Sequence, residues 1–306
     1  MVSFLNLPWV PQDLILRNLT LIDIFKFSTL SKKSYAVAKR SKPRFESVQW
    51  NFRKEERFNR PSVYITFSDA LSVSIEEIDP DFWSYRCSRK CHLKFDGVHI
   101  NFDFHNHGVK ILYSFVRDDT DPFEVISVRL LELVKVGVFK CKFMKCKVPP
   151  YVFKVTRCFN ELSMFFGVTL THDEARVLLE DITVDRLTLY PSVEDGFIHS
   201  KPIKHRNLHL INAPWFTDEN LMNSNCETMY VGFARMTSAG LTRFFQKWRN
   251  GELPELRRLK FSSFKNQISL PEVPLNNGRQ VLKDANGNRG VLEINGYSVE
   301  FDVVPK

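Results

Sequence analysis

Apolar residues in the first forty positions fall into three short clusters, each preceded by residues that start helices. Pro8 and Pro11 suit a first turn, after which Asp13 opens a run with Leu14, Ile15 and Leu19 apolar. Thr20 with Asp23 three residues on forms a capping pair, and Leu21, Ile24, Phe25 and Phe27 then crowd one broad face. Ser31 is placed to cap a third helix carrying Tyr35, Val37 and Ala38. Three helices of this size make a unit of roughly 40 residues, too small to bury its own apolar side chains. One side of it is therefore expected to lie against something else.

Beyond residue 60 the period shortens to that of strands. Ser62 to Phe67 and Ser72 to Ile75 alternate or run apolar, and Asp96-Gly97 is a favoured tight turn between Leu93-Lys94-Phe95 and Val98 to Phe102. Asp121-Pro122-Phe123-Glu124 reads as cap, first-turn proline and third-position acid of a helix through about Lys135. From about residue 159 strand cores recur at Leu162-x-Met164, Leu187-x-Leu189, Leu208-x-Leu210, Met229-x-Val231 and Leu259-x-Phe261, at intervals of 25, 21, 21 and 30. Thr171, Thr217 and Thr237 follow three of these cores by eight or nine residues, where each is expected to cap a helix. Thr171 with Glu174 is a full capping box, and Ala175, Leu178, Leu179 and Ile182 then share a helix face, as do Leu241, Phe244, Phe245 and Trp248.

Those intervals lie near the roughly 20 to 29 residue period of leucine-rich repeats. They predict an irregular solenoid over 159–261 with one curved sheet covered by helices on one side, the plainer alternative being an α/β sandwich. Val281 to Lys283, Val291 to Ile294 and Tyr297 to Val303, joined through Asn286-Gly287 and Asn295-Gly296, read as a three-stranded meander over 281–304. Ser262 to Arg279, rich in Pro and Asn, reads as an exposed loop. The expected fold class is thus α+β or α/β: a three-helix head, a mixed and repeat-like middle, and a closing β-meander.

Composition adds limits. An apolar fraction of 43% with 13% aromatics in 306 residues is enough for a sizeable core. No run approaches the roughly 18 apolar residues of a membrane span, and Asp13 and Arg17 interrupt the N-terminus where a signal peptide stays apolar. A cytoplasmic or nuclear location is expected. Of the formal charge of +8, residues 1–60 carry +7 and the remainder +1. The excess is a basic stretch from Lys32 to Arg60, which reads as a solvated face, as a surface for an acidic protein, or as a phosphate contact. Tyr35 is the only aromatic residue between Lys32 and Arg44, which weighs against stacking of single-stranded nucleic acid.

Six scattered cysteines read as free thiols of a reducing compartment. Cys87-x-x-x-Cys91 with His99, His105 and His107 tempts a zinc reading, but His105 and His107 stand one residue apart where a finger needs about three to five between them. Asp284-x-Asn286-x-Asn288 lacks the glycine and the final Glu of a calcium loop. No nucleophile elbow or phosphate loop occurs, and Glu76-Glu77, Asp118-Asp119 and Asp121 read as solvated carboxylates. The chain is expected to be no enzyme and to need no cofactor or metal.

The N-terminal residues Leu7-Pro8, Leu14-Ile15, Leu19, Asp23-Ile24, Phe27 and Ser28-x-x-Ser31-Lys32-Lys33 resemble an F-box, the module that fastens a substrate receptor onto the Skp-type adaptor of a cullin-based ubiquitin ligase. The acidic residue usual soon after the Leu-Pro pair is replaced by Val10, Pro11 and Gln12. Leu178 to Ile182, Trp215-Phe216-Thr217 with Leu221, Thr237 to Trp248, Leu256 to Phe261 and the Asp284-x-x-Gly287 hairpin look like the second type of F-box-associated domain of the expanded nematode F-box families. The resemblance implies an F-box over 1–45 and an associated domain over 46–306. It implies a non-catalytic receptor that binds an adaptor and, through it, a cullin, and holds an unknown protein target nearby. Leu7, Pro8, Leu14, Ile15, Leu19, Ile24, Phe27 and Leu30 are the expected adaptor contacts. The competing classes are a nucleic-acid-binding protein using the 32–60 stretch and a scaffold that recruits no cullin.

Overall fold

The computed structural model describes residues 4–55, 60–68, 71–77, 93–95, 98–105, 108–115, 121–263, 270 and 278–304. They form a mixed α and β structure in two compact units, residues 1–156 and 157–306.

The first unit opens with three helices, α1 (Trp9–Arg17), α2 (Leu21–Ser28) and α3 (Lys32–Ser41). The expected caps are made: the Thr20 hydroxyl accepts from the Asp23 amide at 3.2 Å and the Ser31 hydroxyl from that of Ser34 at 3.0 Å. Leu16, Leu21, Ile22, Ile24, Phe25, Val37 and Ala38 are buried. The chain continues through β1 (Arg44–Glu55), β2 (Arg60–Phe67), β3 (Ser72–Glu77), β4 (Leu93–Phe95), β5 (Val98–His105), β6 (Gly108–Phe115), α4 (Pro122–Glu132), β7 (Lys135–Met144) and a short α5 (Val152–Val155). Within this unit the described strands lie in the order β7-β1-β2-β3-β6-β5-β4. The pairs β1/β7 and β3/β6 are parallel and the other pairs antiparallel.

Two elements depart from the sequence reading. The basic stretch is not a continuous solvated face, because Arg44–Glu55 is a strand on which Val48, Trp50 and Phe52 point inward while Arg53 and Lys54 stay exposed. Trp50 and Phe52 pack with Phe139, Phe143 and Tyr151 into an aromatic cluster. The helix capped by Asp121 ends at Glu132 rather than near Lys135, since Lys135 is the first residue of β7 and pairs with Arg44. Asp121 itself behaves as expected, accepting from the Phe123 amide at 2.8 Å.

The second unit runs β8 (Cys158–Met164), β9 (Thr169–Leu170), α6 (His172–Arg176) continued by a π-helical turn at Val177–Asp181, β10 (Thr183–Leu189) and β11 (Ser192–Val193). It goes on through β12 (Asn207–Leu210), α7 (Asp218–Met222), β13 (Thr228–Ala234), α8 (Ser238–Arg249), β14 (Arg258–Ser263), β15 (Arg279–Lys283), β16 (Arg289–Asn295) and β17 (Ser298–Val304). Strands β8, β10, β12, β13 and β14 are parallel neighbours in chain order. The meander joins them through β17, which pairs antiparallel with β14. The expected strand cores fall in one register: Leu162, Leu187, Leu208, Met229, Leu259, Phe301 and Leu292 form a row across seven strands. No member of that row is more than 1% exposed. Helix faces cover it, with Ala175, Leu178, Leu179, Leu241, Phe244, Phe245 and Trp248 all buried and Phe301 edge-on to both Phe245 and Trp248.

Each expected threonine starts its helix. Thr171 and Glu174 make both bonds of a capping box, at 3.2 and 2.8 Å, and the Thr217 amide donates to Asn220 at 2.9 Å. Thr237 caps α8 by accepting from the Gly240 amide, while its own amide and hydroxyl donate to Asp218 of α7. A Cβ on Gly240 would lie 2.0 Å from the Asp218 carboxyl carbon, so glycine there is what lets the two helices lock together. Between Val193 and Asn207 there is no helix, a break in the alternation that the spacing did not disclose. The Asn286-Gly287 and Asn295-Gly296 turns form as read, with positive φ at both glycines. Of Ser262 to Arg279, residues 264–269 and 271–277 lie outside the described residues, as do Asp96-Gly97, Asp118 and Asp119.

Because the row crosses seven strands of the sheet, truncating its middle is costly. Leu187→Ala is expected to lower unfolding free energy by about 2–5 kcal/mol. Thr183→Ala, at the exposed start of the same strand, should stay within about 0.5 kcal/mol in urea unfolding of the full chain. Equal midpoints for the two variants would contradict this packing.

Candidate functional site

The helical head leaves an apolar ridge in water. On α1, Leu16 and Gln12 turn inward, and the opposite arc presents Val10, Pro11, Leu14 and Ile15 at i, i+4 spacing. Leu14 is 58% exposed and Leu30, just past α2, 67%. Trp9, Ile15 and Leu19 are exposed as well. Single exposed leucines need no explanation, but six large apolar side chains on one small helical unit do.

Of the eight expected contacts, Pro8, Leu14, Ile15, Leu19 and Leu30 are exposed, and Leu7 and Phe27 are half-buried, the Phe27 ring lying edge-on to Phe4 at 5.2 Å. Ile24 is a correction: at 1% exposure it lies in the core of the first unit, because the face of α2 that carries Leu21 and Phe25 is the one turned inward. It can support the ridge but offers no surface. Trp9 and Val10 are exposed beside the expected contacts, and Val10 stands four residues before Leu14, a spacing visible in the sequence. Gln12, standing near where an acidic residue is usual, is buried and donates to the Phe4 and Leu7 carbonyls at 3.2 and 3.0 Å, which pins the Leu7-Pro8 segment to α1.

Polar clamps fix the ridge. Asp13 accepts from Ser41 at the end of α3 and from the Arg17 guanidinium, both at 2.8 Å. Tyr35 of α3 donates to Glu132 of α4, Lys39 reaches the same carboxylate at 2.9 Å, and the Arg129 guanidinium lies 3.7 Å from the centre of the Tyr35 ring. Burial works against the Glu132 charge, but hydrogen bonds from Tyr35 and Lys39 and the cations of Lys39 and Arg129 outweigh it and hold the carboxyl below its usual range. The bond to Glu132 raises Lys39.

Beside the clamp lies an open cleft of about 520 Å³ lined by Trp9, Asp13, Arg17, Arg40, Ser41, Lys42, Pro43, Arg44 and Lys135. It gathers part of the expected basic stretch with two cations from elsewhere in the unit.

In the second unit the sheet face opposite the helices carries half-exposed polar and aromatic side chains. Tyr190, His209 and Tyr230 follow one another on neighbouring strands or their ends, with centroids 6.2 and 4.3 Å apart, and Phe165 stacks on Tyr190 at 5.2 Å.

Among the described residues, the carboxylates and thiols singled out from sequence do not converge on a site. Glu76 pairs with Lys110 at 3.3 Å, and Asp284 accepts from the Asn288 amide and side chain within its turn. Cys226 is buried, which pushes its thiol up to about 12 and keeps it protonated. Cys87, Cys91 and His107 lie outside the described residues, and among the described residues no three His, Cys, Asp or Glu side chains are grouped as metal ligands. No described helix is long and apolar enough to cross a membrane.

Residues 4–46 match the F-box domain, a span that holds α1, α2 and α3. Residues 198–261 match a family described as F-box associated, a span that runs from before β12 into β14. No curated protein and no solved structure matches the chain.

The clamp makes a pH prediction. A carboxylate depressed below its unfolded value adds stability that is present above about pH 4.5 and is lost as pH falls through the folded value. The raised Lys39 adds stability that is present below about 10.5 and is lost as pH rises through its folded value. Glu132→Gln is expected to flatten both limbs of a melting-temperature profile for the full chain, with the acid limb moving most. Superimposable profiles for the two proteins would remove the clamp from the account.

Proposed function

We propose that this chain is a substrate-receptor subunit of a Skp-cullin-F-box type ubiquitin ligase. The observation that carries the reading is the exposed apolar ridge of the head, Pro8, Val10, Leu14, Ile15, Leu19 and Leu30, within the span that matches an F-box. F-box domains bind a Skp-type adaptor and through it a cullin. Leu7 and Phe27 border the ridge and would contribute at its rim. An interface of standard size buries roughly 1,200 to 2,000 Å² in total.

On this reading residues 1–45 hold the ligase and 46–306 hold the target. The in-register parallel strands between 159 and 261 are read as an irregular leucine-rich-repeat-like array, and the likeness to nematode F-box families extends to this part. The receptor does no bond chemistry; it raises the effective concentration of a target near the ubiquitin-carrying enzyme, and its place of action is the cytoplasm or nucleus.

A second reading draws on the basic cleft, where Arg17, Arg40, Lys42, Arg44 and Lys135 meet and only Asp13 is acidic. Such a cleft suits a phosphate of a nucleic acid. Its mark is salt: affinity carried by several phosphate contacts falls steeply between about 50 and 200 mM, whereas apolar docking of an adaptor does not.

Leu14→Ala with Leu19→Ala is expected to weaken adaptor recovery in a pull-down by tenfold or more, since truncating anchors at an interface centre costs about 2 kcal/mol or more. The circular dichroism should be unchanged, because both side chains already face water. Undiminished recovery of adaptor by the double variant would refute the docking role of the ridge.

A further inference from the structure

The apolar ridge and the basic cleft of the head meet on α1. Trp9, Asp13 and Arg17 stand at i, i+4 and i+8, so they share one arc of the helix, and that arc lines the cleft. Val10 and Leu14 of the ridge each stand one position further along, on the neighbouring arc. The two surfaces are therefore contiguous around α1, with the exposed Trp9 at their border. The rest of the cleft comes from the end of α3, the segment after it and the first residues of β1 and β7, which bring Arg40, Lys42, Arg44 and Lys135.

The charges of this cleft are out of balance. Both oxygens of Asp13 are engaged, one by the Ser41 hydroxyl and the other by Arg17, each at 2.8 Å. Among the described residues no carboxylate pairs with Arg40, Lys42, Arg44 or Lys135. Arg44 and Lys135 are register partners on β1 and β7, so two cations stand side by side on strands about 4.8 Å apart. Like charges placed directly opposite on a sheet are destabilising, and an anionic group laid across the pair removes that cost.

We propose that the cleft takes an acidic segment of the same polypeptide that covers the apolar ridge, which on the receptor reading is the adaptor. The inference rests on that reading and adds to it a charged half of the docking surface, whose partner carries Asp or Glu residues beside its apolar contacts. Contiguity with the ridge selects this occupant. Arg40, Arg44 and Lys135 are exposed and Lys42 is half-buried, while Ser41, a buried polar side chain of the lining, gives its hydroxyl proton to Asp13. Exposed ion pairs each contribute little, so such a cleft does not grip a small free anion. A segment tethered to a chain already seated on the ridge arrives at high effective concentration, and several weak pairs then suffice. The arginines suit carboxylates, which they can meet with two parallel hydrogen bonds.

A nucleic-acid strand fits the cleft less well. Single strands are held by successive aromatic rings along a cationic track, and Trp9 is the one ring of this lining. The four free cations are confined to one open cleft of about 520 Å³ with the Asp13 carboxylate among them. Charges at the edge of a docking surface act chiefly on encounter, raising the association rate and fixing orientation, whereas the apolar centre sets how long the complex lasts. The cleft thus steers the polypeptide that the ridge then holds.

The test uses the full chain and a purified Skp-type adaptor. A water-soluble carbodiimide joins a lysine amine to a carboxylate in contact with it, and mass spectrometry identifies the joined peptides. Lys42 and Lys135 are expected to join Asp or Glu residues of the adaptor, and Lys204 and Lys283, exposed in the second unit, are expected not to. In association kinetics at about 50 mM salt, Arg44→Glu with Lys135→Glu should slow binding about tenfold and change dissociation less than about twofold. At about 200 mM salt that deficit should shrink to about threefold or less, because screening weakens the repulsion while the ridge keeps the complex together. Leu14→Ala with Leu19→Ala should instead speed dissociation. A complex without cross-links at Lys42 and Lys135, or a charge variant that associates at the unaltered rate, would overturn the proposal and leave the receptor reading in place. A short oligothymidylate that binds the full chain and is released by the charge variant would assign the cleft to nucleic acid and overturn it as well. Absence of any complex removes the receptor reading and the proposal together. Should the charge variant misfold, as circular dichroism would reveal, cross-linking of the unaltered chain decides alone.

Discussion

Both units are shaped by the need to take one face of each sheet and one stripe of each helix out of water. In the second unit that demand is met by two in-register rows, Leu162, Leu187, Leu208, Met229, Leu259, Phe301 and Leu292 in one and Met164, Leu189, Leu210, Val231, Phe261 and Val299 in the next, both buried. Each fully buried Leu of such a row contributes roughly 1.5–3 kcal/mol. A slip of one residue in any strand would turn its large apolar side chains to solvent, so the register is strongly specified. The opposite face inherits whatever the covered one does not use, and the rings of Phe165, Tyr190, His209 and Tyr230 stand there.

The head obeys the same demand with fewer residues. Leu16, Ile24 and Phe25 go inward, and a unit this small has no interior left for Val10, Leu14, Ile15 and Leu30. Gln12, the Asp13 carboxylate and the Tyr35, Lys39 and Glu132 cluster add hydrogen bonds to the burial of Leu16, Val37 and Ala38 in holding α1 and α3 in place. Such clamps preorganise the ridge, so that little ordering entropy remains to be lost when a partner covers it. The Asp13 clamp, with its partners Arg17 and Ser41, also lines the basic cleft, which links charge pattern to helix packing in this unit.

Local signals were the most readable part of the sequence. Thr20, Ser31, Asp121 and Thr171 act as caps, the five strand cores from Leu162 to Phe261 align, and both Asn-Gly turns form. Features that depend on distant partners were not readable. β1 is hidden in a basic stretch because its stability comes from β7, some ninety positions on, and Lys135 leaves the preceding helix pattern to join that pairing. Ile24 reads as a surface residue in the sequence because a short helix with apolar residues on more than one side does not declare which side faces in. Its neighbours Leu21 and Phe25 decide that by packing. The rings of Phe165, Tyr190, His209 and Tyr230 escape notice for the same reason, since successive members are 19 to 25 residues apart and meet only through strand register.

The central claim is that the head is an unfinished surface awaiting another polypeptide. Hydrogen–deuterium exchange of the full chain, with and without a purified Skp-type adaptor, addresses it directly. The account predicts added protection concentrated in residues 8–30, with β10 to β14 exchanging as before. Protection absent from 8–30, or appearing only on the strands of the second unit, would contradict it.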